Sequence, residues 1–251
     1  MDELLLLSGQ PIPFPEGLTE IHQPRLKEIA LIGEAKFYIA TEYLTLDEKN
    51  MDTSDLSDKS DFEILMMIMN DVSLKGRTAA LCVLLLLSLL FPAFDISFDT
   101  TKIILTSKED SESQTFIDNK NFKVFKQIVK EMFCLDRGNE DKKEYNAKGP
   151  LAKKIADKLK KRQEQLQKIK QESQKEQKVS ILNRYISILT VGEHKDMNSL
   201  LNYTVFQIYD EFERFNLKTA FDLNLQVRMA GATDVEEAEN WMKDLYDKKA
   251  N

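Results

Sequence analysis

The chain has 251 residues, of which 42% are hydrophobic and 31% charged, with a formal net charge of −7 and a mean hydropathy of −0.39. That profile fits an ordinary soluble globular chain with a rather charged surface, long enough for one large domain or two small ones. The acidic balance argues against nucleic acid as a partner of the whole molecule.

Eight Gly and six Pro are few, which favours helices. Cys82 and Cys134 both sit in apolar surroundings and read as buried thiols of a reducing compartment rather than as a disulfide framework. The N-terminus carries acids where an export signal has lysines, and its apolar run, residues 4–7, is too short for one.

In chain order, residues 4–7 read as a short strand, followed by a turn at Ser8-Gly9 and an extended Pro-rich segment. Pro24 suits the first turn of a helix that runs to about residue 44, with a kink or close packing expected at Gly33. Residues 47–61 are acidic and rich in Ser and Asp, a solvated loop. A helix then resumes at 62–72, where Met66, Met67 and Met69 are either adaptable core filler or a contact surface. The run 79–91 is apolar throughout but falls short of the roughly 20 residues a membrane span needs, so it reads as a helix buried all round, and a charge at Leu85 is expected to cost several kcal/mol. Two β-like runs, 95–98 and 102–106, flank Asp99-Thr-Thr as a hairpin. A helix with Phe122, Phe125, Ile128, Val129 and Met132 inward covers 121–133.

Composition then changes. The polar, turn-rich stretch 136–149 reads as a linker between an N-terminal α+β domain, 1–135, and a C-terminal helical domain, 150–251. The latter opens with a long basic helix, 151–178, which holds ten Lys/Arg against four Asp/Glu along a thin, near-heptad apolar seam. A helix over 180–191 follows.

The apolar stretch 197–229 is the centre of this half, with Val205, Ile208, Tyr209, Phe212 and Phe215 recurring at steps of three and four. Its stripe is wide enough to meet helix 181–189 on one flank and a last helix carrying Trp241, Met242 and Leu245 on the other. Phe212→Ala is therefore expected to cost about 3–5 kcal/mol. The fold class is α+β and mostly α-helical: a small N-terminal β element and a hairpin with packed helices, then a C-terminal helical unit.

No catalytic signature is present. His22 and His194 lack acids or thiols at metal-ligand spacing, and neither a nucleophile elbow, a phosphate-cradling glycine loop nor a dinucleotide fingerprint occurs. The chain is read as a non-enzyme with no cofactor or metal. The basic helix supplies the candidate contacts Lys158, Lys161 and Arg162. These suit an acidic protein partner, with a nucleic acid or anionic surface as the alternative, although no aromatic interleaves them for base stacking.

Three blocks carry a resemblance: LLSGQPIPFPEGLTEIHQPRLKEIALIGEAKFY; GPLAKKIADKLKKRQEQLQK with VSILNRYISILTVGEHKDMNSLLNYTVFQIYDEFERF; and RMAGATDVEEAENWMKDLYD. Together they resemble proteins of large phages and prophages of Gram-positive bacteria, similar in setting to tail and baseplate morphogenesis factors of the assembly-chaperone or hub-assembly type. The resemblance implies no cofactor and no catalytic residue. It implies contacts with other tail or baseplate proteins, a place in the host cytoplasm during assembly or in the virion tail, and compatibility with an oligomer. It also makes Trp241 and Met242 candidate partner-binding anchors; alternatively, Trp241 simply packs its own segment home.

Overall fold

The computed structural model describes residues 2–14, 19–46, 59–135, 180–230, 240–243 and 245–246. Two compact units divide the chain, one formed by Met1–Leu135 with Leu182–Asn251 and the other by Asp136–Ile181. The first unit therefore joins sequence from both sides of the polar stretch 136–149, and all that follows concerns it. The linker 136–149 and the basic helix 151–178 expected from the sequence lie outside the described residues, as does most of the acidic loop 47–61.

The fold is α+β and mostly helical. Helix α1 (Glu3–Ser8) leads through a two-residue strand pair, β1 (Ile12–Pro13) and β2 (Glu20–Ile21), to α2 (Leu26–Ile32) and α3 (Glu34–Leu44). Helices α4 (Asp61–Met69) and α5 (Leu74–Leu90) precede an antiparallel sheet of β3 (Phe94–Phe98), β4 (Ile103–Ser107) and β5 (Gln114–Ile117) in the order 3-4-5. Helix α6 (Phe122–Met132) closes the first stretch; α7 (Ile181–Gly192), α8 (Met197–Leu201) and α9 (Val205–Met229) make up the second.

Several local readings change. Residues 4–7 are helical, not a strand: the Asp2 carboxylate accepts from Leu4 N at 2.9 Å, and Gly9 takes the left-handed conformation (φ 66°) that ends the helix. A run of four leucines has no period to separate the two states. Gly33 does break the helix expected over 24–44, with φ 90° between α2 and α3. The hairpin is present, its turn fixed by the Asp99 carboxylate accepting from Thr101 N at 2.6 Å and Lys102 N at 3.0 Å, but β5 adds a third strand. Helix α6 buries all five apolar residues assigned to its inner side.

The core gathers fully buried Phe37, Leu86, Leu87, Phe91, Phe125 and Phe206 from both parts of the chain. Helix α5 lies at its centre, packed by α2, α3, α4 and β3. It begins earlier than its apolar run because Ser73 caps it, the hydroxyl accepting from Gly76 N at 3.1 Å. Nor is it buried all round. Cys82, Val83, Leu86, Leu87 and Leu90 are buried, whereas Leu81 is exposed and Leu84 and Leu85 are partly so, because the packing elements leave one side open. Among the described residues no single helix is long and apolar enough to cross a membrane; α4 and α5 reach that composition only as a pair, and they meet at 112°.

The position at which a charge does its damage therefore moves. Leu87→Asp, which buries an unpaired carboxylate, should cost several kcal/mol, and Leu85→Asp distinctly less, in equilibrium urea unfolding. Equal losses at the two sites would contradict this arrangement of α5.

Candidate protein-contact surface

Helix α9 is fastened at its start. Thr204 caps it, with Gln207 in the reciprocal role: the hydroxyl accepts from Gln207 N, and the Gln207 carboxamide accepts from Thr204 N at 2.8 Å. The Gln207 amide also donates to Leu7 O at 2.6 Å. Leu26 N donates to Tyr203 O at 2.9 Å, and the Lys27 ammonium donates to the side-chain Oδ1 of Asn202 at 2.8 Å. Val205, Phe206 and Ile208 are consequently buried.

One turn further on, α7 packs across. The Tyr185 ring stacks on Phe212 at 4.0 Å between centroids and meets Tyr209 edge-on at 5.1 Å. The ring of Phe215 lies so close to Gly192 that a Cβ there would fall 2.5 Å from it. Lys195 bridges Glu211 at 2.5 Å and Glu193 at 3.4 Å, pinning the α7–α8 connection to α9. Burial pushes the Tyr38 and Tyr209 hydroxyls far above the ordinary value of 10, with Tyr209 and Glu34 adding to the effect at Tyr38, and Tyr185 and Cys134 at Tyr209. The Tyr38 hydroxyl has no hydrogen-bond partner in good geometry among the described residues.

The C-terminal stretch returns to the same helix. Arg214 Nη1 donates to Trp241 O at 2.9 Å and to Lys243 O at 2.6 Å, the Tyr246 ring stacks on Phe206 at 5.5 Å, and its hydroxyl bonds the Asp210 carboxylate. The second flank of α9 is thus covered, and among the described residues not by a helix. Residues 240–243 and 245–246 form turns and bends, so the last helix assigned to Trp241, Met242 and Leu245 is corrected at those residues. Trp241 is partly buried, and Met242 beside it is 68% exposed. Two carbonyls held by Arg214 Nη1 fix the backbone here, and the Met242 side chain stands outward from it.

Beyond Phe215, burial tails off. A 25-residue helix is about 37 Å long, and the body beneath it covers only the first part. Phe221 is partly buried, whereas Leu223, Leu225 and Met229 are 60%, 49% and 79% exposed. The stretch 197–229 is therefore core at its start and surface at its end. Phe212 is itself only partly buried, so the fully buried position assigned to it belongs to Phe206.

Of the sequence-derived contact residues, the structure sets Trp241 and Met242 side by side. Lys158, Lys161 and Arg162 lie outside the described residues. His22 pairs with Glu28 at 3.2 Å, away from His194 in sequence, and among the described residues no three His, Cys, Asp or Glu side chains are grouped to hold a metal. Sequence reasoning missed the anchoring role of Arg214 and the exposed end of α9. The interleaved Asn216, Thr219, Asp222, Asn224 and Gln226 are the signal that could have shown that end to be solvated.

Comparison with known families places the larger part of this surface in context. Residues 172–246 match the family model described as YomV second domain. That family is a phage-type one, and the match suggests a phage protein. The matched stretch spans α7, α8 and α9 and ends on Tyr246, the residue whose ring closes the C-terminal stretch on Phe206. No curated protein and no solved structure matches the chain.

Three measurements check the packing. Phe206→Ala should cost about 3–5 kcal/mol and Phe212→Ala about 1–3 kcal/mol in urea unfolding, and the reverse order would place the buried face elsewhere. Raised tyrosine pKa values mean that the neutral hydroxyls are favoured in the folded state. This contribution is complete below pH about 10 and is lost as pH rises above it. Stability should therefore fall on the alkaline side, with late phenolate absorbance appearing together with unfolding. Tyr38→Phe, which removes an unsatisfied buried hydroxyl, should leave the melting temperature equal or higher.

Proposed function

We propose that the chain is a phage morphogenesis protein that acts through protein–protein contacts rather than catalysis, as a tail or baseplate assembly chaperone or as a baseplate-associated virion component. The observation that supports this reading is the exposed Met242 beside Trp241, on a backbone clamped by Arg214, within the stretch that matches a phage-type family. An outward-facing apolar side chain next to an aromatic, on a backbone that is already held, suits an anchor for a partner, since little backbone ordering remains to be lost on binding. The end of α9, with Leu225 and Met229 exposed, enlarges the apolar area available. Lys158, Lys161 and Arg162 add a basic contact for an acidic partner in the same reading.

Capture from phage-producing cells tests it. The tagged chain should retain tail or baseplate proteins, identified by mass spectrometry, and Met242→Asp should reduce that recovery at least tenfold with the melting temperature unchanged, because the side chain is exposed. Undiminished capture by Met242→Asp, or the absence of any phage structural protein, would reject the reading. Peptides of the chain in purified particles would assign it to the virion; their absence, with capture intact, would assign it to transient assembly.

A further inference from the structure

Strand β3 is an open edge of the three-stranded sheet, since only β4 pairs with it among the described residues. Asp99 N donates to Lys102 O at 3.1 Å and Lys108 N to Ala93 O at 3.0 Å, which sets the phase of the ladder. Odd-numbered residues of β3 therefore turn their backbone groups toward β4, and even-numbered ones turn theirs outward. Phe94 N is taken by Phe91 O at 3.1 Å, but nothing among the described residues bonds the N–H and C=O of Ile96 or Phe98. The opposite edge is less open, because Asn121 Nδ2 donates to Phe116 O at 2.9 Å. Phe94, Ile96 and Phe98 share the face on which Leu105 and Ile103 of β4 are fully buried, yet are themselves only half-buried. Asp95 and Ser97 are exposed on the outer face. A row of apolar side chains thus ends at bare backbone, with neither Pro nor Lys between Phe94 and Phe98 to blunt it.

We propose that β3 pairs antiparallel with β3 of a second copy of this chain, about a two-fold axis at Ile96, so that two three-stranded sheets become one of six. The occupant is a copy because the strand complements itself. In that register Ile96 meets Ile96, Phe94 meets Phe98, and on the outer face each Asp95 meets a Ser97 hydroxyl. Sliding the pair by two residues either way, which keeps the hydrogen-bonding phase, sets Asp95 against Asp95 or against Asp99. Like charges directly opposite each other disfavour those two registers and single out the first. The backbone groups of Ile96 then bond each other across the axis, and Phe98 N–H donates to Phe94 O. The half-buried apolar row continues into that of the second copy. Five residues a side make a small interface, so the dimer is weak and concentration-dependent. It uses neither Trp241 nor Met242 and stands without the morphogenesis reading.

Sedimentation equilibrium of the full chain over a concentration series should show a reversible monomer–dimer exchange. Ser97 is exposed, so its replacement leaves the fold of the single copy intact. Ser97→Asp, which sets two pairs of carboxylates face to face, should raise the dissociation constant at least threefold. Ser97→Lys, which sets two ammoniums against Asp95, should lower it at least twofold at low salt. A merely structural effect would not change sign with the charge. Cross-linking reads the register. Asp95 of one copy and Ser97 of the other form a non-hydrogen-bonded pair with Cα atoms about 4.5 Å apart, within disulfide reach. Identical positions lie diagonally, roughly 7–8 Å apart. Mild oxidation of Asp95→Cys mixed with Ser97→Cys should therefore give covalent dimer at least tenfold faster than either variant alone. Met242→Asp should dimerise as the parent chain does, so that this surface and the C-terminal one are told apart. A chain that stays monomeric, which would leave the edge to a strand of another protein, would overturn the proposal. So would equal dissociation constants for Ser97→Asp and Ser97→Lys, cross-linking of one cysteine variant alone as fast as the mixture, or loss of the dimer in Met242→Asp.

Discussion

The carboxamide of Gln207 joins parts of the chain 200 residues apart, and the first six-residue helix depends on it. The Leu7 carbonyl belongs to the last turn of α1, where no intrahelical donor is available. Gln207 supplies one. Gln23, fully buried, supplies another to Leu5 O at 3.0 Å and continues to Gln10 O at 2.7 Å. A helix this short is marginal by itself in water. Two later side-chain amides complete it, and they also fix where the start of the chain rests.

The same junction explains why the described stretches on either side of residues 136–149 share a core. The backbone of Leu26 donates to Tyr203, Arg25 forms an isolated bridge with Thr204, and Leu182 N donates to the Glu34 carboxylate at 2.9 Å. Helices α7 to α9 do not bury their apolar side chains on each other alone; Phe206 and Leu189 join the cluster built on Phe37, Leu87 and Phe125. The segment that matches the phage-type family is thus completed by residues from the first half of the chain. Such pairings across nearly the whole sequence carry a loop-closure entropy cost and couple the stability of the N-terminal part to that of α9.

What was legible in the sequence follows the strength of each local signal. Helix α6 was readable because five apolar side chains repeat on one face over eleven residues. Gly33 announced its break. The run of leucines at 4–7 did not reveal its state, since what decides it is a cap at Asp2 and two distant amides. Strand β5 escaped because four residues with one partner strand leave too little alternation to read. Trp241 and Met242 were legible as candidates from residue type alone. That they lie on turns, held by Arg214, required the fold, because a guanidinium bonding main-chain carbonyls leaves no pattern in sequence spacing.

The exposed end of α9 limits what kind of contact it can make. Leu217, Phe221, Leu225 and Met229 follow one another at steps of four. At 3.6 residues per turn each step advances the side chain by about 40°, so the row winds around the helix instead of running along it. A straight partner helix laid parallel to α9 would meet two of the four and leave the others in water; one crossing it obliquely would follow the row for a short distance. A sustained coiled coil needs apolar positions that hold one face over several heptads, which this row does not. Single exposed apolar residues are ordinary on any surface. Here Leu217 and Phe221 are partly buried and only Leu225 and Met229 exposed, in a winding row on the part of the helix that outruns its own core, a geometry that fits a small crossing contact better than a permanent helical seam.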